Sequence, residues 1–298
     1  MIELRNVVKK FGGRVAVDDL SFTVPRGEIY GLLGHNGAGK STAIGMMLGQ
    51  VWPTGGEVKI CGHDVQSNRR AALMQVGAIF ETPVFYDYLS GARNLEILST
   101  YTAPTSKARI QEVVEWVGLT GREQSKVRTY SHGMRARLAL AQALLPQPEL
   151  MILDEPSDGL DPEGIHEMRQ TVLRLHKEFG LTILLSSHLL NEVEQLCTRI
   201  AVLNHGKKVF DGTVAEATRK QNWVRLRVGK FDSAVEQLRS AQLINGERDH
   251  KLISLGAGVA TDQVVRLLVE RGIPVFEIAP QEETLEDFYL ALMKPRAN

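Results

Sequence analysis

Apolar residues along the chain are grouped into short runs, and several stretches between these runs have the spacing of amphipathic helices. The apolar runs lie at 28–33, 150–153, 182–186 and 200–203. Three of them are nearly continuous aliphatic segments, which is typical of strands covered on both faces of a parallel sheet. The helical patterns lie at 41–50, 164–178 and 189–197. This alternation predicts an α/β fold with crossover helices.

Two regions before the second buried strand depart from this alternation. The first residues, IELRNVVKKFGG and DDLSFTVPRGE, predict an antiparallel β edge with turns at Gly12-Gly13 and at 25–27. Residues from about 84 to 146 instead predict helices, at 90–100, 106–117 and 133–145. We therefore expect a helical subdomain inserted between the first and second buried strands.

The pattern changes again after residue 212. Strand patterns at 223–228, 251–255 and 274–278 are joined by a weak strand near 242–245, and helical patterns follow at 232–241, 261–271 and 284–293. The order βαββαβ with one more helix predicts a ferredoxin-like α+β domain. We therefore expect two domains, at 1–212 and 213–298.

Composition and charge agree with a globular protein and limit its partners. The 298 residues, 43% of them apolar and 23% charged, suit one or two domains. Lys and Arg together number 35, as do Asp and Glu, so the formal net charge is zero. A strong nucleic-acid binder usually has a basic excess, so we expect no nucleic-acid partner.

Cysteine usage and hydropathy indicate the compartment. Cys61 and Cys197 have no metal-ligand spacing and predict two reduced thiols in an intracellular protein. Charged residues within the first ten positions interrupt any apolar leader, and no apolar run reaches the roughly 18 residues of a membrane span. We expect a cytoplasmic protein whose role at a membrane would depend on a partner.

The segment GHNGAGKST, at 34–42, follows the first buried strand and opens a helix. It meets the pattern G-x-x-x-x-G-K-[ST], in which glycines turn successive backbone N–H groups into one anion-binding concavity. The N-terminus of the helix adds unpaired N–H groups that bind anions. Lys40 would supply a cation for the β- and γ-phosphates, and Ser41 would supply a hydroxyl for Mg²⁺. A glycine turn capped by Ser41 is the alternative. The predicted ATP contacts in this segment are Gly34, Asn36, Gly37, Ala38, Gly39, Lys40, Ser41 and Thr42.

The run ELMILDEP supplies the carboxylates that nucleotide hydrolysis needs. Asp154 ends a buried strand, at the edge where ligands bind in open α/β sheets, and is predicted to hold Mg²⁺ through water. Glu155 is predicted to act as the general base on the attacking water. The alternative is that Asp-Glu-Pro merely ends the strand.

A histidine follows the third buried strand. His188 lies just past the strand at 182–186, where its side chain is predicted to bond the γ-phosphate and sense its presence. Taken alone, a single histidine is more often structural. Its place at a third strand end favours the catalytic interpretation.

Taken together, these motifs resemble those of the ATP-binding subunits of ABC transporters over roughly residues 1–212. GHNGAGKS is similar to the Walker A loop, YSHGM (130–134) lies at the signature position, and LMILDE is similar to Walker B. PSDGLD (156–161) is similar to the D-loop, and His188 corresponds to the switch histidine. The ordered set is far more specific than a single P-loop.

The resemblance implies a role for a second helix N-terminus. Ser131 and Gly133 begin an amphipathic helix, and an ordinary N-cap is the alternative interpretation of Ser131. In the family two subunits pack head to tail, and each ATP lies between one subunit's Walker A loop and the other's signature helix. The resemblance also implies that Phe11 stacks on adenine, with a core position as its alternative.

Two departures from the family pattern bear on the site. Glu81 stands where the family usually has Gln, which gives Mg²⁺ a neutral oxygen and links to the membrane partner. A carboxylate there is a good Mg²⁺ ligand but repels the γ-phosphate when metal is absent. His132 and Met134 replace the usual Gly and Gln of the signature, whereas the phosphate-facing Ser131 and Gly133 are kept.

The implied function is ATP hydrolysis coupled to transport through separate integral membrane permease subunits, on the inner face of the membrane. The segment ETPVFYDYLSGARNL and residues 213–298 resemble the corresponding parts of the bacitracin-resistance subgroup. This resemblance implies export of a drug, peptide antibiotic or lipid-like substrate. It also implies that the C-terminal domain serves dimer contact or regulation. One rival is a soluble, non-transport ABC ATPase, although one motif set and no heptad run disfavour it. A non-hydrolysing binding protein is another, which Glu155 and His188 disfavour.

We predict that Glu81 makes ATP binding more dependent on metal. In Glu81→Gln the charge near the γ-phosphate is lost, so ATP affinity without Mg²⁺ should rise and the ratio of affinities with and without Mg²⁺ should fall. Equilibrium ATP binding in Mg²⁺ and in EDTA measures both values. An unchanged ratio would contradict the prediction.

Overall fold

A computed structural model describes residues 1–80, 83–102, 105–218, 223–281 and 284–293 of the chain. The chain divides into two compact units. The first unit is Met1–Val214 and the second Ala215–Asn298. Each unit has its own β-structure and helices.

The strands of the first unit are β1 (Ile2–Phe11), β2 (Arg14–Val24), β3 (Ile29–Leu33), β4 (Gly55–Ile60), β5 (His63–Asp64), β6 (Val76–Ile79), β7 (Leu150–Asp154), β8 (Thr182–Ser187), β9 (Arg199–Asn204) and β10 (Lys207–Thr213). Its helices are α1 (Lys40–Met47), α2 (Arg69–Leu73), α3 (Gly91–Ser99), α4 (Lys107–Trp116), α5 (His132–Leu144), α6 (Pro162–Phe179) and α7 (Leu190–Leu196). The short helix α8 (Val214–Ala217) contains the last residue of the first unit and the first three of the second. The four buried strands and the three crossover helices predicted from the sequence are confirmed, with ends that differ by at most three residues.

The central sheet has the strand order β10-β9-β3-β8-β7-β6 and is parallel except for β10. Strands β3, β7 and β8 are buried at every position, as their continuous apolar sequences predict. Their pairing places Leu33 beside Ser187 and Asp154 beside Ser186. The segments that follow these three strands therefore begin at one edge of the sheet.

A second, antiparallel sheet has the order β2-β1-β4-β5. The predicted β edge formed by β1 and β2 is confirmed, with Phe11 paired to Arg14 across the Gly12-Gly13 turn. Strands β4, β5, β6 and β10 are absent from the sequence prediction. In β4 buried positions alternate with more exposed ones, β10 has a single buried residue, and β5 has only two residues, so none of these three forms a continuous apolar run.

The predicted helical insertion is also confirmed, as helices α3, α4 and α5. Each of these helices starts at a serine N-cap whose side chain accepts a backbone N–H three residues on: Ser90 from Arg93, Ser106 from Arg109 and Ser131 from Met134. Such a cap contributes roughly 1 kcal/mol. The local sequence thus fixes where these helices begin.

The second unit contains β11 (Trp223–Val228), α9 (Phe231–Ser240), β12 (Ile244–Arg248), β13 (Leu252–Leu255), α10 (Thr261–Glu270), β14 (Val275–Pro280) and α11 (Leu285–Met293). Its antiparallel sheet has the order β12-β13-β11-β14. The βαββαβ order with this pairing confirms the predicted ferredoxin-like arrangement. Apolar residues of α9 and α10, including Leu238 and Leu268, pack with Leu226 and Ile253 of the sheet.

The described helices differ in length and in the pattern of their apolar residues. The long helix α6 has 18 residues, and buried positions such as Met168 and Leu175 alternate with exposed charged ones. Across the described part of the chain, no helix combines the length and the apolar character that crossing a bilayer requires.

We predict that Gly77→Ala destabilises the first unit. A Cβ atom at this position of β6 would lie 2.2 Å from the carbonyl oxygen of Ala143, so the backbone of α5 would have to move. The expected loss is about 1–3 kcal/mol in the free energy of unfolding, measured by urea denaturation. Gly55→Ala is the control, since its Cβ would meet no atom within 4 Å. Equal stability of the two variants would contradict the prediction.

Candidate nucleotide-binding site

An open cleft of about 670 Å³ lies where the segments after β3, β7 and β8 meet. Its lining residues are Phe11, Arg14, Ala16, His35, Asn36, Gly37, Gly39, Lys40, Ser41, Thr42, Glu155, Asp158 and His188. Nine of the residues singled out from the sequence line this one cleft: Phe11, Asn36, Gly37, Gly39, Lys40, Ser41, Thr42, Glu155 and His188. The parallel sheet and the β1–β2 hairpin have therefore brought together residues that are far apart in sequence.

Glycines shape the loop between β3 and α1. Gly37 has φ 82° and Gly39 has φ 107°, a region in which a side chain is strained. A Cβ on Gly39 would also lie 2.7 Å from the carbonyl oxygen of Ala16. Ala38 between them is fully buried, and its carbonyl accepts from the N–H of Gly206 at 2.9 Å. The loop is thus fixed against β2 and the 205–206 turn.

Lys40 begins helix α1 and is nearly buried, with 6% of its side chain exposed. Its Nζ donates to the carbonyl oxygen of Gly34 at 2.7 Å and lies 3.2 Å from Oε1 of Glu155. An ammonium has three donors, and these two contacts fix its direction within the cleft. Gly34 is itself buried and contributes this carbonyl rather than a surface of the cleft.

Glu155 has a backbone conformation that is unusual for a residue with a side chain. Its φ is 50°, in the left-handed region, and its N–H donates to Oγ of Ser186 at 2.9 Å. Its Oε2 accepts from the backbone N–H of His188 at 3.2 Å and lies 2.8 Å from Nδ1 of that histidine. The carboxylate is therefore held between Lys40 on one side and His188 on the other.

Asp154 lies behind Glu155 rather than on the cleft wall. It is 4% exposed and accepts a 2.6 Å hydrogen bond from the hydroxyl of Ser186. Ser186 thus fixes both acidic residues, because the same oxygen accepts from Glu155. In the described residues no cluster of three or more His, Cys, Asp or Glu is placed to hold a metal.

The donor set fits Mg²⁺ better than a metal that needs a complete protein cage. Ser41 and Asp154 would supply hard oxygen ligands, and Mg²⁺ is usually bound by one or two protein oxygens with water and substrate phosphates. Glu81, the third predicted metal ligand, lies outside the described residues.

Phe11 is half exposed, with 51% of its surface accessible, so its ring is available to a ligand. The ammonium of Lys9 lies 4.7 Å from the centre of the ring and donates to the carbonyl of Trp52 at 2.7 Å. This cation–π contact occupies one face of the ring. A flat ligand would stack on the other.

The signature residues lie apart from the cleft of the same chain. Ser131 is exposed at the N-terminus of α5, and neither it nor Gly133 lines the cleft. The nearest neighbour of a Cβ built on Gly133 is Oγ of Ser131, at 4.0 Å. In a single chain the N-terminus of α5 therefore does not complete the cleft.

Four residues that line the cleft, and Glu192 beside it, were not predicted from the sequence. The four are Arg14, Ala16, His35 and Asp158. The position of His35 inside the glycine loop could have indicated that it lines the cleft. Arg14 reaches the cleft through its strand pairing with Phe11, which no sequence motif indicates. Glu192 is buried, burial raises its pKa, and a hydrogen bond with Ser157 opposes that rise. This contact holds the loop that follows Glu155.

Comparison with known proteins gives consistent matches. Residues 17–158 match the family profile described as ABC transporter. The chain is 41% identical to the uncharacterized ABC transporter ATP-binding protein YhcH of Bacillus subtilis, over 98% of the chain and 95% of that protein. It is 37% identical to the bacitracin transport ATP-binding protein BcrA of Bacillus licheniformis, over 98% of the chain and 97% of that protein. A solved ATP-binding subunit of an ABC transporter is 30% identical and superposes with a TM-score of 0.65, covering 74% of this chain and 92% of that one.

We predict that Ser186→Ala damages the site through both acidic residues. The change leaves Asp154 without its 2.6 Å donor and Glu155 without an acceptor for its N–H. Unpaired buried groups cost about 1–3 kcal/mol, so the free energy of unfolding should fall by that amount. Thermal or urea unfolding measures it. Ser240→Ala, whose hydroxyl bonds only the exposed α9 backbone, is the control and should change little. Equal stabilities would contradict this account of Ser186.

Proposed function

The chain belongs to the ATP-binding proteins of ABC transporters, and on that basis we propose that it binds and hydrolyses MgATP at a head-to-tail dimer interface to drive export through separate membrane subunits. ATP binding and ATPase chemistry follow from the family. The dimer, the residue roles and the direction of transport are the finer parts of the proposal.

The observation that carries the catalytic proposal is the position of Glu155 between Lys40 and His188, with distances of 3.2 and 2.8 Å. Glu155 accepts a proton from water as that water attacks the γ-phosphorus. The bond from this phosphorus to the bridging oxygen breaks, and ADP and phosphate are formed. Lys40 stabilises charge on the phosphate oxygens, and His188 fixes the carboxylate and bonds the γ-phosphate.

Ser41 and Glu81 are the proposed direct protein ligands of Mg²⁺, and Asp154 would hold the ion through water. The bound ion would neutralise charge on the β- and γ-phosphate oxygens. The protein's own contribution is to hold these ligands still. Ser41 lies in the first turn of α1, and the hydroxyl of Ser186 holds Asp154.

A second copy of the chain is the proposed source of the missing wall of the cleft. Ser131 and Gly133 lie at the start of α5, a helix of 13 residues whose N-terminal N–H groups attract anions. In one chain they lie away from the cleft, so a partner must bring them to the γ-phosphate. ATP would then join the two copies, and hydrolysis would remove the contact that holds them closed.

Permease subunits of the membrane are the other proposed partners. The segment around the beginning of the helical subdomain exposes apolar and aromatic side chains: Phe80, Val84, Tyr86 and Tyr88. Exposed groups of this kind mark interaction sites. A permease docked there would hold the protein at the inner face of the membrane.

Similarity to the bacitracin transport protein supports export of a drug, peptide antibiotic or lipid-like substrate.

We predict that Glu155→Gln binds ATP, forms a stable dimer and hydrolyses ATP at least about 100-fold more slowly, since general-base catalysis contributes that much or more. The variant keeps the shape of the side chain and loses the proton acceptor. Phosphate release measures turnover. Light scattering with and without MgATP measures whether the mass doubles from 33.0 kDa.

The control for the interface is Ser131→Arg in the Glu155→Gln chain. Because Ser131 lies outside its own cleft, this double variant should still bind ATP as a monomer but should not dimerise. Lys40→Ala should lose both properties. Dimerisation of the Ser131→Arg chain at unchanged ATP concentration would contradict the head-to-tail arrangement.

A further inference from the structure

Arg14 begins β2 and is brought to the same side of the sheet as Phe11. The two residues are direct partners in the β1–β2 ladder, across the Gly12-Gly13 turn. Directly paired residues of antiparallel strands project to one face, with Cβ atoms about 5 Å apart. Both side chains line the nucleotide cleft. The hairpin therefore presents an aromatic ring and a guanidinium side by side.

The guanidinium reaches the glycine loop. Nη2 of Arg14 lies 3.7 Å from the position that a Cβ would have on Gly37, and apart from Gly37 and its chain neighbours no other described atom lies within 4 Å of that position. A side chain at Gly37 would thus contact the arginine. The charged end of Arg14 is next to the loop whose N–H groups are proposed to bind the β- and γ-phosphates.

The charge of Arg14 is uncompensated in the part of the chain that the structure describes. Arg26, by contrast, pairs with Glu149, and Arg135 with Asp87, at 2.5 and 2.6 Å. The neighbouring cation Lys9 is directed to the Trp52 carbonyl instead. Arg14 is exposed at the cleft with its five donors available to a ligand.

We infer that Arg14 binds the α-phosphate of the nucleotide, an inference that rests on the proposed function of the cleft. The ring of Phe11 holds the base at one end, and Lys40 faces the β- and γ-phosphates at the other. The side chain of Arg14 extends from a backbone position paired with Phe11 to Gly37 of the glycine loop, so it spans the interval between base and terminal phosphates in which we place the α-phosphate. Its planar fork matches two oxygens of one phosphate.

The first test compares ATP and ADP affinities of Arg14→Ala and Arg14→Lys with those of the wild-type chain. Both nucleotides carry the α-phosphate, so Arg14→Ala should weaken both by the same factor, about five- to tenfold for an exposed charge-assisted bond. Arg14→Lys should recover only part of the loss. Arg5→Ala is the matched control, an exposed arginine of β1 that pairs with Glu3 outside the cleft. Unchanged ADP affinity in Arg14→Ala would overturn the inference.

The second test assigns the phosphate. ADP with one α-phosphate oxygen replaced by sulfur should bind wild-type protein more weakly than ADP, and this difference should shrink in Arg14→Ala because the contact is already lost. Sulfur on the β-phosphate should have equal effects in both proteins. A difference that shrinks only for the β-substituted nucleotide would refute the α-phosphate assignment.

Failure of this inference is distinguishable from failure of the proposed function. Lys40→Ala should abolish ATP binding whatever Arg14 does. If Lys40→Ala loses binding and Arg14→Ala does not, the cleft binds nucleotide and only the role of Arg14 is wrong. If Lys40→Ala binds ATP normally, the proposed function of the cleft is wrong.

Discussion

The contact on which the site depends is the one between the Glu155 carboxylate and the Lys40 ammonium. The two side chains are only 12% and 6% exposed, so each charge has given up most of its hydration. Such groups are stable only when they are paired and hydrogen-bonded. Gly34 and His188 complete the set, with a carbonyl for the lysine and a donor for the carboxylate. Three segments of the chain, those that follow β3, β7 and β8, therefore meet at one buried ion pair.

The parallel sheet makes this meeting possible. Leu33 lies beside Ser187 and Asp154 beside Ser186, so the glycine loop, the acidic pair and the histidine leave the sheet at one level. A shift of one residue in any of these strands would turn its side chains to the opposite face. The strained φ of Glu155 belongs to the same arrangement, because it turns this carboxylate into the cleft while Asp154 stays behind it.

The sequence predicted those parts of the molecule that local patterns determine. Continuous apolar runs identified β3, β7, β8 and β9, and the caps Ser90, Ser106 and Ser131 agree with the helices that follow them. Strands with one exposed face, such as β4 and β10, left no such run. The positions of Lys40, Glu155 and His188 in one cleft follow from motif order and sheet topology. Arg14 was not predicted, since its role depends on pairing with Phe11 and on reach toward Gly37 rather than on any motif.

The distribution of charge in one chain agrees with the proposal that a second copy completes the cleft. Lys40 and Arg14 provide cations on one side, and the exposed N-terminus of α5 lies elsewhere on the same chain. A ligand that is bound more tightly by the pair than by the single chain shifts the equilibrium toward the pair. Only a ligand that reaches both surfaces has this effect. In the proposed dimer the third phosphate would extend past the glycine loop toward the partner, so its presence or removal is the difference to which the dimer would respond.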